Sequence, residues 1–203
     1  MRERPPPPGR CRLSRLMRFT LVDPKGNVAM QKRNIALIGF RATGKSTVGR
    51  LLAGELGFTF IDMDRHLTGT FGRDIQCWVR THGWKSFRDE ESRLLKALAG
   101  GADLVVATGG GIILDPANCE TLRAHFVVVW LTASRETILE RLARDPNTIH
   151  DRPPLTDLSP ALEVEQLLEE RSPLYARTAD LTLSTDLLAP PDVVSAIARF
   201  VST

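Results

Sequence analysis

The stretch Asn34-Ile-Ala-Leu-Ile-Gly-Phe-Arg-Ala-Thr-Gly-Lys-Ser46 decides the fold. Its first part, Asn34–Phe40, is an apolar run of strand length that ends at a glycine-rich turn. Gly39 opens the spacing G-x-x-x-x-G-K-S, which Gly44, Lys45 and Ser46 complete. From Lys45 to Leu56 the period becomes helical, with Val48, Leu51, Leu52 and Leu56 on one face and Gly57 as the stop. Strand, glycine loop and helix in that order make a phosphate cradle. The glycines let backbone N–H groups converge on an anion, and the helix adds its positive N-terminal end. Lys45 can reach the terminal phosphates of a nucleotide, and the Ser46 hydroxyl can ligate Mg2+.

Outward from this unit, short apolar runs alternate with helical periods. Phe58–Asp62, Leu104–Ala107, Phe126–Leu131 and Leu181–Ser184 read as further strands, the last an edge candidate. Ser134–Arg144 carries Ile138, Leu139 and Leu142 on one side. Ser159 followed by Pro160 reads as an N-cap and first helical position, leading to Val164, Leu167 and Leu168. Pro191–Phe200 closes the chain, with Val194, Ile197 and Phe200 or Val201 facing inward. Near-continuous apolar strands alternating with helices predict an α/β fold with a parallel sheet covered on both faces.

The 203 residues suit one domain. No apolar run approaches the roughly 18–20 residues that cross a bilayer. Cys11, Cys77 and Cys119 are odd in number and far apart, which excludes a disulfide framework and fits a reducing compartment. His66, His82, His125 and His150 lack metal-ligand spacing. Residues 1–33 hold nine Lys/Arg against two Asp/Glu, so the net charge of +3 divides into +7 there and −4 over the remainder. With the tetraproline Pro5–Pro8 and no sustained period, this segment is expected to be a disordered basic extension. A basic arm can touch nucleic acid or an anionic surface, and Met17 or Met30 offers a later start.

Two segments carry further chemistry. Asp62-Met63-Asp64 ends a strand, where open α/β sheets place ligands, and in extended backbone both carboxylates share a face. One could serve a metal and the other a substrate hydroxyl; solvated aspartates are the alternative. Around thirty residues then pass before Glu91, enough for a small helical insertion. Asp145–Asp157 is polar and proline-bearing, and reads as a mobile lid or an ordinary surface loop.

Together these pieces resemble shikimate kinase. The resemblance runs from about Asn34 to Ile197 and rests on the phosphate loop, Phe60–Asp64 (FIDMD), Phe87-Arg88 with Glu91, Ala107–Gly111 (ATGGG), Arg152-Pro153 and Glu170–Tyr175 (ERSPLY). The Gly83-Trp84 step is more similar to the second bacterial isoform type than to the first. The resemblance implies a P-loop kinase fold, with a central five-stranded parallel sheet flanked by helices. It also implies an acceptor-binding insertion at about 63–98 and a lid at about 145–158, within a domain over 34–203. The implied activity is ATP-dependent phosphorylation of the 3-hydroxyl of shikimate, a step of aromatic amino acid biosynthesis. Gly39, Ala42, Thr43, Gly44, Lys45, Ser46 and Thr47 would hold ATP, with Arg144 and Pro190 enclosing the adenine. Ser46 and Asp62 would hold Mg2+. Asp64 would be the general base, Lys45 and Arg152 the catalytic cations. Arg88, Arg171 and Glu91, with Gly109, Gly110 and Gly111, would bind shikimate. Such an enzyme is expected to be a cytoplasmic monomer with neither membrane nor nucleic acid as partner.

Ala42 stands where many members carry glycine. Val79 replaces a common aromatic wall, with Trp78 as the neighbour that could compensate. Leu188 stands where some members have a polar residue, and the lid is one residue longer than in some. Two other readings are a kinase for a different polyol acid such as gluconate, and a silent shikimate sensor attached to a regulatory arm. The arm is too short and irregular for a helix-turn-helix.

Overall fold

The computed structural model describes residues 34–144 and 159–202. The basic extension (1–33), the lid segment (145–158) and Arg152 lie outside the described residues. The described chain runs β1 (Asn34–Ile38), α1 (Lys45–Leu56), β2 (Thr59–Asp62), α2 (Met63–Phe71), α3 (Ile75–Ala99), β3 (Leu104–Ala107), a short 3-10 turn (Ile112–Leu114), α4 (Pro116–His125), β4 (Phe126–Thr132), α5 (Arg135–Arg144), α6 (Pro160–Thr178), β5 (Leu181–Ser184) and α7 (Pro190–Val201). The five strands are parallel in the order β2-β3-β1-β4-β5, with β5 at one edge as expected. Among the described residues no helix is long and apolar enough to cross a membrane.

β1 is buried along its whole length because both of its faces are covered. Alternation sends Ile35 and Leu37 to one side, where they meet Val48 and Leu52 of α1 and Val193, Val194 and Ile197 of α7. Ala36 and Ile38 face the other side, with Leu95 of α3, Leu122 of α4 and Tyr175 of α6. Val201, not Phe200, packs against the first cluster, and Phe200 is exposed.

The buried face of α1 differs from expectation. Gly49 and Ala53 lie inward with Val48 and Leu52, and Leu51 is exposed. A methyl group at Gly49 would overlap the Phe60 ring. The glycine therefore lets the helix approach β2 more closely than leucine spacing alone suggests.

The stretch after β2 is helical, as expected. α3 is broken at Gly83, whose φ of 80° suits glycine and kinks the run. Leu67, Ile75, Val79 and Phe87 form a small core of its own, lined by Phe71, Trp78 and Trp84. All strand C-termini open on one edge of the sheet, and the phosphate loop, Asp62 and Gly109–Gly111 follow directly from β1, β2 and β3.

Candidate active site

The glycine loop after β1 takes the backbone shape its sequence requires. Gly39 has φ 139° and Gly44 has φ 86°. A side chain on Gly39 would also run into the Leu131 carbonyl. The Thr43 hydroxyl donates to Phe40 O at 2.8 Å and is buried. Gly39 and Thr43 thus shape the loop from beneath, whereas Ala42, Gly44, Lys45, Ser46 and Thr47 line the open cavity above it. The Lys45 ammonium donates to Gly39 O at 2.9 Å and Phe40 O at 2.6 Å, which sets its charge across the mouth of the loop.

Ala42 sits at φ 61°, a left-handed conformation that costs a residue with a Cβ about 1–2 kcal/mol. Ala42→Gly is therefore expected to raise the thermal midpoint by about 2–3 °C, net of the greater chain entropy of glycine. A lower midpoint would mean that the methyl group contributes packing worth more than the strain.

Asp62 is the last residue of β2 and the N-cap of α2. Its Oδ1 accepts from Arg65 N at 3.3 Å, and its Oδ2 from the Ser46 hydroxyl at 2.6 Å. Hydroxyl and carboxylate meet beside the loop, an all-oxygen pair of the kind a hard cation takes. Among the described residues no three His, Cys, Asp or Glu side chains gather into a metal cluster. Asp62 and Asp64 do not share a face of an extended strand, because the chain turns helical at Met63. Asp64 instead comes from the first turn of α2 and faces Gly109, where a Cβ would lie 3.2 Å from Asp64 Oδ1.

Beyond Asp64 lies a second recess, walled by Phe40, Trp84, Phe87 and Gly109–Gly111. Its polar groups are Asp64, Arg88, Glu91, Arg171 and Arg41. Glu91 is 1% exposed and accepts from Arg88, whose guanidinium lies 5.3 Å from the Trp84 ring centroid. Arg171 is 5% exposed and donates to Gly110 O at 3.4 Å. Glu91 Oε1 and Arg171 Nε are buried without a hydrogen-bond partner among the described residues. Burial raises the pKa of Glu91, against the opposing pull of Arg88 and Arg171. Burial likewise lowers that of Arg171, opposed by Tyr175 and reinforced by Arg88.

The three glycines after β3 divide the work. Side chains at Gly109 and Gly111 would overlap Glu91 and Arg88, so those two positions seat the charged pair. At Gly110 there is room for a Cβ, and its carbonyl accepts from the Tyr175 hydroxyl at 2.5 Å. Tyr175 was missed as a holder of this loop; its place one turn after Arg171 on α6 was the available signal. The aromatic wall comes from Trp84 and Phe87. Trp78 does not contribute, being stacked between Phe71 (3.8 Å) and His82 (4.1 Å).

On the nucleotide side, Pro190 and Leu188 line the cavity. Arg144 does not. It is 79% exposed and pairs with Glu140 at 3.5 Å. Arg141 stands at that wall, one turn after buried Ile138, and donates to Ala42 O at 3.1 Å and Thr185 O at 2.7 Å. The two cavities meet, since Arg41, Asp64 and Ile75 line both.

The chain also resembles known proteins. The family described as shikimate kinase matches residues 41–202. The shikimate kinase of Persephonella marina (strain DSM 14350 / EX-H1) is 39% identical over 165 residues, which cover 81% of this chain and 96% of that protein. The shikimate kinase of Nitratidesulfovibrio vulgaris (strain Hildenborough) is 46% identical over 145 residues, covering 71% and 82%. Among solved structures, the shikimate kinase from Acinetobacter baumannii in complex with shikimate has a TM-score of 0.78 at 35% identity, covering 84% of this chain and 93% of that one. With the phosphate loop at the end of β1 and two buried-edge arginines around a recess that shares Asp64 with it, the chain belongs to the shikimate kinase family.

Proposed function

We infer that this protein transfers the γ-phosphoryl group of ATP to the 3-hydroxyl of shikimate. The observation that carries the reading is the seam between two cavities, with the phosphate loop on one side and an arginine-lined recess on the other. Asp64 borders both, so its carboxylate can accept the proton of a hydroxyl in the recess as that hydroxyl attacks the phosphoryl group. Arg88 and Arg171 supply donors for the shikimate carboxylate, with Glu91 orienting Arg88. Lys45 and the loop N–H groups hold the β- and γ-phosphates. Arg152 would neutralise the transferred group from the lid.

Ser46 and Asp62 would hold Mg2+, which supplies charge neutralisation to the β- and γ-phosphates when bound. Pro190 on one side, with Arg141 in place of Arg144, would enclose the adenine. Residues 34–203 then form one catalytic domain, with 63–98 as the acceptor-binding insertion. The working unit in this reading is a monomer. The scattered cysteines support a cytoplasmic location.

The test is ADP release from the purified protein with Mg-ATP and, in turn, shikimate, gluconate or no acceptor. Release that depends on shikimate is expected; a preference for gluconate, or no turnover while ATP binds, overturns the reading.

Glu91 adds a pH signature. As pH falls through its raised pKa the carboxyl takes a proton, and Arg88 loses its ion-pair partner. KM for shikimate is expected to rise there, at a pH above the ordinary glutamate range, with KM for ATP unchanged. Glu91→Gln should remove the inflection. Stability runs the opposite way. A raised folded-state pKa means that the contribution of Glu91 is full below the unfolded value and is lost as pH rises through the folded one.

A further inference from the structure

We propose that Arg41 is a catalytic donor to the phosphoryl group in transit, held for that role by Glu163; the proposal rests on the kinase reading above. Arg41 lies inside the glycine loop and, with Asp64 and Ile75, is one of the residues lining both cavities. A group passing from nucleotide to acceptor crosses that seam, where Asp64 is the carboxylate and Arg41 the guanidinium.

The side chain is fixed there. Its Nη2 donates to Glu163 Oε1 on the first turn of α6, and Glu163 is 3% exposed. The guanidinium lies 5.5 Å from the centroid of the buried Phe40 ring. Taking both charges largely out of water makes the pair a weak stabiliser, so its use is orientation. Within the guanidinium, Nη2 alone is committed to Glu163. Arg41 Nε, whose N–H shares the edge of Nη2, is buried without a hydrogen-bond partner among the described residues. A buried N–H without an acceptor is costly in a native structure unless an acceptor arrives during the working cycle. An equatorial oxygen of the transferred phosphoryl group is an acceptor of the right charge.

In the step itself the bond from phosphorus to the bridging oxygen breaks, and its electron pair leaves with ADP. The acceptor oxygen bonds to phosphorus, and its proton passes to Asp64. Arg41 donates a hydrogen bond without transferring a proton and offsets charge on the equatorial oxygens.

The competing role is a strut between the glycine loop and α6. Arg41→Lys separates the two, because lysine keeps a cation for Glu163 but has no Nε–H edge. Both Arg41→Lys and Arg41→Met are expected to lower kcat about 10- to 100-fold, the effect of one hydrogen bond to a charged group, with either KM moving less than about 3-fold. Both variants should also fail to trap ADP with aluminium fluoride in the presence of shikimate. Normal kcat and trapping in Arg41→Lys would mean a strut and overturn the proposal, as would a fall in kcat matched by an equal loss of ADP affinity. If Arg41→Met does not fold, Arg41→Lys alone decides. Absence of shikimate turnover in the unsubstituted protein would instead sink the kinase reading.

Discussion

Replacing Lys45 by alanine is expected to lower kcat by about 10³-fold or more, while weakening nucleotide binding far less. Two consequences of one ammonium group lead to this. Its charge is aimed at the phosphates whose negative charge shifts as the γ-phosphoryl group leaves, and such a donor matters more in the transition state than in the bound ground state. It also ties Gly39 O and Phe40 O across the mouth of the loop. Loss of the tie loosens the loop only in part, because Thr43 still donates to Phe40 O and the left-handed residues Ala42 and Gly44 still set the turn. Nucleotide affinity is thus predicted to fall about 10-fold at most, the loss of one charged contact among several backbone donors. Single-turnover kinetics with saturating Mg-ATP and shikimate would separate the two effects. Turnover within about 10-fold of the unsubstituted protein would remove Lys45 from the chemistry, since a charge-assisted donor at the reacting phosphate contributes more than that.

The skeleton of this fold was legible in the sequence because its signals are local. Val105, Val106 and the Phe126–Leu131 run are apolar on both faces, as buried parallel strands must be, and Gly44 and Gly57 mark the ends of α1. The inward face of α1 was less legible. Gly49 and Ala53 carry no hydrophobic signal, yet their small size lets the helix lie on Phe60, and that displaces Leu51 to the surface. Strand order was outside reach as well. It follows from which crossover helix covers which face, and β1 and β4, neighbours in the sheet, pair residues 92 apart in sequence, as Asn34 opposite Phe126.

The site divides along the same line. Residues named by spacing alone, such as Lys45 and Ser46, stand at the phosphate loop. Roles that depend on where a turn begins did not transfer directly. Asp62 and Asp64 meet different neighbours because α2 starts at Met63, and Trp78 stacks between Phe71 and His82 instead of lining the recess. Arg144 and Arg141 have the same side chain one turn apart, and only the packing of α5 through Ile138 tells the inward one from the solvated one. Tyr175 and Glu163 belong to α6 but act on the loops after β3 and β1, at sequence separations of 65 and 122 residues that no local pattern reports.

Arg171→Met is expected to raise KM for shikimate by about 10²–10³-fold and leave KM for ATP nearly unchanged, the loss seen when one partner of a buried charge pair is removed. The unliganded protein should not be destabilised. Arg171 is 5% exposed, its pKa is lowered chiefly by burial, and its Nε lacks a partner among the described residues. Its donation to Gly110 O is duplicated by the Tyr175 hydroxyl, so the loop after β3 keeps its anchor when the guanidinium is gone. Methionine fills much of the same space with an unbranched apolar chain, so the substitution removes an incompletely satisfied buried cation without opening a large cavity. The thermal midpoint is therefore predicted to stay level or rise while acceptor binding collapses, the pattern of a residue kept for function at a cost in stability. Glu91 sharpens the test. Without the pull of Arg171 its pKa should climb further, moving the pH inflection of any residual shikimate binding upward. Equal losses of shikimate and ATP binding, or a midpoint that falls in step with activity, would instead make Arg171 a structural support of α6 and return the shikimate carboxylate to Arg88 alone.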